Sequence, residues 1–349
     1  MRNIQWLKFS EINLKDPFFN SLKEDYNEFE NWFIKKSQEE AKAFILSSEK
    51  GLEAFLFLKS EEGEINDVIP PLPASKRLKI GTFKVNPHGT RLGERFIKKI
   101  FDYGIKYNFK EAYVTVFPKH SILIDLLQKY GFVHRGVKKT ANGEELVLVK
   151  DFKTFNNDLL LDYPRFQSTG VNKYLLAIYP DFHTRLFPDS ILNSESFDVV
   201  NDVSHTNSIH KVYVCFMDVS QLRRGDIIVI YRTKDDKGPA HYRSVVTSIC
   251  VVEEVRTKKD FKSFAEYLSY CQPYSVFSSE ELLDWYNNKN IFTIKMMYNA
   301  AIQKRLTRGM LIEELKINDK MRWNFFQLKD DQFSKIITYG KVDENLIIY

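Results

Sequence analysis

The chain has 349 residues, 44% apolar, 14% aromatic and 28% charged, the composition of a globular protein long enough for two domains. Its net charge is +5, with 26 Lys and Arg against 21 Asp and Glu in residues 1–155 and 25 against 25 thereafter, so the second half is not a nucleic-acid binder by bulk charge, though a local basic groove is compatible with it. No apolar run suits a membrane helix, the start Met1-Arg2-Asn3-Ile4-Gln5-Trp6 lacks a secretory core, and dispersed Cys215, Cys250 and Cys271 fit a reducing, cytoplasmic setting rather than disulfides or a Cys-rich zinc site.

Residues 4–9 alternate well enough for a first strand. After Pro17, residues Phe18, Phe19, Leu22, Tyr26, Phe29, Trp32 and Phe33 recur every three or four positions. That spacing predicts one or two amphipathic helices with core aromatics. Residues 41–46 and 51–58 read as a hairpin joined by Ser47-Ser48-Glu49-Lys50, and 51–58 is apolar enough to lie inside a sheet. Residues 60–76, with Gly63, Pro70, Pro71 and Pro73, read as an exposed excursion. Glu64 and Asp67 could face a substrate amine there, but a solvated loop accounts for them more simply.

From Arg77 an extended run containing Ile80, Phe83 and Val85 leads to Pro87, which has no N–H to give a central strand. Gly89 and Gly93 bracket a turn, and Leu92, Phe96 and Ile100 then recur at helical spacing. A strand that turns sharply into a helix leaves the first helical N–H groups unpaired and outward-facing. Those donors and the helix dipole favour a phosphate or pyrophosphate. The candidate anion-binding residues are Val85, His88, Gly89, Thr90, Arg91, Leu92, Gly93 and Glu94. An ordinary turn that needs Gly for its angles is the alternative. Next, 111–118 is a β-rich run closed by Pro118. Ile122, Leu123, Leu126, Leu127 and Tyr130 share a helical face, and Gly131 sits where helices commonly stop. Phe132-Val133 begins another strand, and 145–150 is the last of this region.

His88-Gly89-Thr90-Arg91-Leu92-Gly93 resembles the acyl-CoA pyrophosphate loop of the GNAT superfamily of N-acetyltransferases. That loop reads Gln/Arg-x-x-Gly-x-Gly/Ala at a strand-to-helix turn. The last Gly matches, while His88 stands at the Gln/Arg position and Arg91 at the inner Gly position. Tyr130-Gly131-Phe132 resembles the family's Tyr-x-x-x-Gly-Phe ending, and His120 stands near its Asn position. The order of elements over 4–150 covers essentially the whole family domain. The resemblance implies a mixed-sheet α+β fold for 1–153, acetyl-CoA as co-substrate, His120 beside it, and acyl transfer to an amine. In many family members a Tyr four residues before that Gly protonates the leaving thiolate. Leu127 stands there instead, and Tyr130 is either a substitute or a half-buried core aromatic. In the family, backbone donors on the key strand polarise the thioester carbonyl and leave no side-chain signature, so the catalytic base and acid stay unassigned. The seven His do not pair with Cys or acids at metal-ligand spacing, and no metal is inferred.

Residues 154–172, with Asn156-Asn157-Asp158 and Pro164, fit a linker. In 173–349, strands at 173–180, 209–216, 222–232 and 244–255 with turn chemistry between them argue for a small β-barrel. Phe261, Phe264, Leu268 and Cys271 mark a helix, and Ser278-Ser279-Glu280-Glu281 reads as a capping box. Residues 292–296 alternate as a strand, and 330–338 reads as a terminal helix. The turn at Leu222-Arg223-Arg224-Gly225-Asp226 and its flanking strands resemble PUA-like barrels, including the EVE and ASCH groups, although the Lys and Glu signature of ASCH proteins is not evident. That likeness implies RNA or modified-base binding, in a groove where Asn207, Lys211, Tyr213, Tyr231 and Arg232 hold a nucleotide. A structural place in the barrel suits each of them equally. Three functions follow. One is an acetyl-CoA-dependent N-acetyltransferase whose PUA-like domain selects an RNA- or tRNA-linked amine, which by analogy of domain pairing suits a bacterial toxin–antitoxin or defence system. The second is a non-catalytic nucleic-acid-binding protein with a degenerate acetyltransferase domain. The third is a protein or small-amine acetyltransferase with the barrel as scaffold.

Overall fold

Phe18 and Phe19, in a 3-10 turn, and Phe29 and Phe33, one turn apart on a helix, are all buried against one face of a sheet. The computed structural model describes residues 4–86, 91–187 and 208–349. They form two units, Met1–Asp162 and Tyr163–Tyr349.

The first unit runs β1 (Gln5–Lys8), α1 (Asn20–Asp25), α2 (Phe29–Gln38), β2 (Lys42–Ser48), β3 (Gly51–Ile65), β4 (Leu72–Val85), α3 (Leu92–Lys106), β5 (Glu111–Val116), α4 (Ser121–Lys129), β6 (Val133–Thr140) and β7 (Gly143–Asp151). The seven strands form one mixed sheet in the order β1-β2-β3-β4-β5-β7-β6. Only β4 and β5 pair in parallel, because α3 carries the chain back across the sheet. Phe55 and Phe57 of β3 point to the side of α1 and α2, where Phe9, Phe19 and Phe33 meet them edge-on or tilted at 5.2–6.3 Å. On the other side α3 buries Phe96 against Phe83, and Phe101 against Phe132 and Phe152.

The excursion expected at 60–76 is mostly strand, with only 66–71 between β3 and β4. Arg77 supplies the physical reason. Its guanidinium, almost wholly buried, pairs with Glu111 at 2.6 Å and donates to the Gly63 and Pro73 carbonyls. One long cation thus ties both arms of the hairpin to β5, and proline density alone misread the segment. Glu64 lies on β3, and Asp67 pairs with Lys138 at 2.6 Å.

Gly131 follows α4 at φ +85°, and a Cβ there would lie 2.6 Å from the Leu161 carbonyl oxygen. Gly131→Ala is expected to destabilise the first unit by about 2 kcal/mol or more, since left-handed strain and a backbone clash add. The urea midpoint would measure it, and an unchanged midpoint would refute the account.

Residues 154–172 are shared between the units. Asp162 collects the Asn156 and Asp158 amides at 2.7 and 3.1 Å and closes the first. The second unit then runs β8 (Phe166–Gln167), β9 (Lys173–Ile178), α5 (Pro180–Leu186), β10 (His210–Cys215), β11 (Ile227–Arg232), α6 (Ala240–Arg243), β12 (Val245–Thr257), α7 (Phe264–Cys271), α8 (Ser279–Asn288), β13 (Phe292–Thr307), α9 (Arg308–Glu313), β14 (Phe325–Leu328), α10 (Asp330–Tyr339) and β15 (Ile347–Ile348). The barrel expectation is met by a six-stranded mixed sheet, β10-β13-β12-β11-β9-β14, and β8 pairs with β15 apart from it. The capping box at Ser278 and Glu281 is formed. β13 runs far beyond the expected 292–296. Asn299, Ala300 and Ala301 are poor strand formers, but pairing with β12 and three register shifts carry the strand through them.

Candidate functional site

The pairing of β4 with β5 is short. It joins Arg77, Leu78, Lys79 and Ile80 to Glu111, Ala112, Tyr113 and Val114 and then stops, although both strands continue. A bulge starts the parting. Phe57 faces Thr82 and Leu58 faces Ile80, so Gly81 is an extra residue on β4, and such an insertion bends its strand. Gly81 also needs to be small, because a Cβ would lie 2.8 Å from the Phe57 ring. Beyond it, residues 82–85 pair with β3 on one side and border a cleft on the other. Their backbone groups on that side form an open strand edge.

The cleft has a volume of about 870 Å³ and runs between the parted strands, the starts of α3 and α4, and the helices over β3. The start of α3 opens into it. Arg91, at φ +51°, is the N-cap, and its carbonyl accepts the Glu94 N–H at 3.0 Å. The Glu94 amide expected to face an anion is therefore engaged within the turn. Those of Leu92 and Gly93 precede the first intrahelical bond. The Glu94 carboxylate pairs with Lys129 at 2.8 Å, linking α3 to the end of α4.

Val85, Arg91, Leu92, Gly93, Glu94 and His120 all line this cleft. His88, Gly89 and Thr90 lie outside the described residues. His120 caps α4, and its Nε2 stands 2.9 Å from Asp25 Oδ2 while Lys119 pairs with the same carboxylate. The end of α1 is thereby pinned to the start of α4. Tyr130 does not serve as the acid at Leu127's place. Both are fully buried, Tyr130 against Phe101, and neither lines the cleft.

Sequence reasoning missed the polar groups on the cleft's inner face. The Tyr26 hydroxyl donates to Glu145 Oε1 at 2.5 Å, joining residues 119 positions apart. Burial, followed by that bond, raises the Tyr26 pKa far above the phenol range, so the hydroxyl stays protonated. Glu145 is itself buried on β7 and lines the cleft. One signal was available. In Glu144-Glu145-Leu146-Val147-Leu148-Val149, strand alternation must turn one of the acids inward with Val147 and Val149. Lys84, on the open edge, donates to Ser21 Oγ at 2.6 Å and to the Phe18 carbonyl, and burial holds its pKa below the ordinary lysine value.

The nucleotide groove expected in the second unit is not formed by the residues named for it. Asn207 lies outside the described residues. Lys211, Tyr213, Tyr231 and Arg232 are buried. The Tyr231 ring meets Trp323 at 5.4 Å, Tyr213 meets Phe277 at 6.1 Å, and Lys211 lies over the Phe187 and Tyr298 rings. Every residue of β10 and β11 is covered, so side chains that alternation would turn outward are also inside. Among the described residues no group of three or more His, Cys, Asp or Glu could hold a metal, and no helix is long and apolar enough to cross a membrane.

No family model and no curated protein matches the chain. Solved structures do. A probable acetyltransferase from Staphylococcus epidermidis is 16% identical, with 43% of this chain and 99% of that one covered, at a TM-score of 0.34. Ard1 from Thermoplasma volcanium is 14% identical over 43% of this chain and 96% of that one, at 0.31. ASCH from Zymomonas mobilis is 11% identical over 48% and 94%, at 0.32. Likeness this remote fixes no substrate.

Proposed function

We propose that the first unit is an acetyl-CoA-dependent N-acyltransferase. The observation that carries this reading is the parting of β4 from β5 directly above the start of α3, inside one cleft. An unpaired strand edge suits the amide-bearing arm of CoA, and unpaired first-turn amides suit its diphosphate. Transfer then needs an amine lone pair brought to the thioester carbonyl and a group to take the amine's proton. Glu145, held by the Tyr26 hydroxyl, is the base in this reading. The nitrogen–carbon bond forms, the carbon–sulfur bond breaks, and CoA leaves as the thiolate. An RNA-linked acceptor chosen by the second unit has no support from Lys211, Tyr213, Tyr231 or Arg232, which are buried.

Calorimetric titration with acetyl-CoA tests the proposal, and a flat trace would remove it. Gly93→Glu places a carboxylate where the diphosphate would sit, and is expected to weaken acetyl-CoA binding by about a hundredfold or more. A Cβ at Gly93 would meet Leu126 Cδ2 at 2.7 Å, the tip of a flexible side chain. The melting temperature should therefore stay close to that of the parent. Unchanged affinity would show that the anion sits elsewhere.

A further inference from the structure

The acyltransferase reading leaves the acceptor open, and the sheet face under α1 and α2 says more about it. Lys59 of β3 and Lys79 of β4 are direct cross-strand partners. Like charges in that relation oppose folding. Lys138 of β6 adds a third cation, and all three line the cleft. Two carboxylates pair with them, and a third, Glu145, is the cross-strand partner of Lys138. Glu61 pairs with Lys59 at 2.5 Å and accepts from the Tyr113 hydroxyl, and Asp67 pairs with Lys138 at 2.6 Å. The nearest carboxylate oxygen to Lys79 is Glu61 Oε1, 3.7 Å away and already bonded to Lys59, while Glu61 Oε2 takes the Tyr113 hydroxyl.

Lys79 is thus an ammonium with 18% of its side chain exposed and no carboxylate at hydrogen-bond distance. Its other close partner is the Tyr113 ring, 5.2 Å from the charge. Burial, and then the neighbouring Lys59 and Lys138, hold its pKa below the ordinary lysine value despite Glu61. A desolvated cation beside two more is costly to keep unless an anion completes the set. Lys138 also stands beside the proposed base, as the cross-strand partner of Glu145. Phe29, Trp32 and Phe57 also line the cleft.

We propose that the amine acceptor of this cleft carries a second, anionic group, a carboxylate or a phosphate, which seats on Lys79 between Lys59 and Lys138. The inference rests on the acyltransferase reading for the amine and on the lysine cluster for the anion. It names a small amino acid or aminoalkyl phosphate rather than the amine of a neutral peptide.

Matched acceptors separate these outcomes. Phenylalanine is compared with phenethylamine, and O-phosphoethanolamine with ethanolamine, by calorimetry with and without CoA and by release of CoA thiol from acetyl-CoA. At least one anionic member is expected to bind about tenfold or more tightly than its neutral partner, the gain of a charge-assisted hydrogen bond. Which pair shows the gain tells carboxylate from phosphate. Lys79→Met should bring the anionic member down to the neutral one while acetyl-CoA affinity is kept, and Lys79→Arg should retain the preference. Equal binding within both pairs, no binding of either anionic member, or tighter binding of a neutral peptide with an amidated C-terminus would overturn the proposal. Failure of acetyl-CoA to bind would instead overturn the acyltransferase reading, while titration without CoA still reports the anion preference.

Discussion

Glu145→Gln is expected to lower the acetylation rate by about 10²–10⁴-fold, the range a positioned general base contributes, or about 3–5 kcal/mol in the barrier. The amide keeps an oxygen for the Tyr26 hydroxyl and nearly the same volume, so the link from β7 to the α1–α2 segment survives. What is lost is the ability to take a proton from the attacking amine. Acetyl-CoA affinity should stay within about twofold, because Glu145 lies on β7 and not among the α3 amides proposed to hold the diphosphate. Tyr26→Phe should cost less, on the order of tenfold, because it loosens Glu145 without removing the carboxylate. Steady-state rates with a saturating amine, alongside acetyl-CoA titration, separate the two effects. A Glu145→Gln enzyme within threefold of the parent would move the base to another residue.

The order of elements in the first unit was legible because each announces itself locally. Leu92, Phe96 and Ile100 are all buried on α3, as their spacing requires. Gly131 at the end of α4 is a left-handed position that only Gly takes without strain. The site was legible only in part. Its α3 end is contiguous in sequence, so a motif could point to it. Its inner polar end, where the base is proposed, is assembled from Tyr26 on the α1–α2 segment and Glu145 on β7, and no local pattern couples them. Tyr26 sat in a run of aromatics most of which are core, which hid its hydroxyl. Lys79 sat between Leu78 and Ile80, where a lysine on a strand reads as an outward-facing charge. The sheet turns that face under helices instead.

The second unit shows the opposite limit. Tyr213, Tyr231 and Arg232 looked like recognition residues because the resemblance to PUA-like barrels implies a groove in which Tyr can stack a base and Arg can hold a phosphate. A groove on these strands presumes one solvated face. Here α5, α7 and α8 supply residues to the core on one face, while Trp323 covers Tyr231 on β11. Strand periodicity cannot report a second cover contributed by residues about 100 positions away. The weak β-propensity of Asn299, Ala300 and Ala301 cut β13 short for the same reason. Its extension is a tertiary effect.

The second unit should lose stability in mild acid through one histidine. His183 on α5 is fully buried, with Nε2 2.8 Å from Thr247 Oγ1. Burial, and then the nearby Arg232 and Arg305 cations, push its pKa from 6.5 down to about 3. Above pH 6.5 the imidazole is neutral in both folded and unfolded chains and contributes no pH dependence. Between pH 6.5 and about 3 the unfolded chain takes up a proton that the folded one refuses. Stability then falls by about 1.4 kcal/mol for each unit the pH drops, a loss of about 4–5 kcal/mol across the window. Carboxylates titrate in the same range, so the informative quantity is the difference between the parent and His183→Gln. The glutamine can still bond Thr247 but has no proton to gain. Urea midpoints of the full chain at pH 7, 6, 5 and 4 should show the parent losing its advantage over the variant along that slope. Parallel curves would mean that the folded protein accepts the proton, and that the polar cluster of His183, Thr247 and Ser248 is open to water.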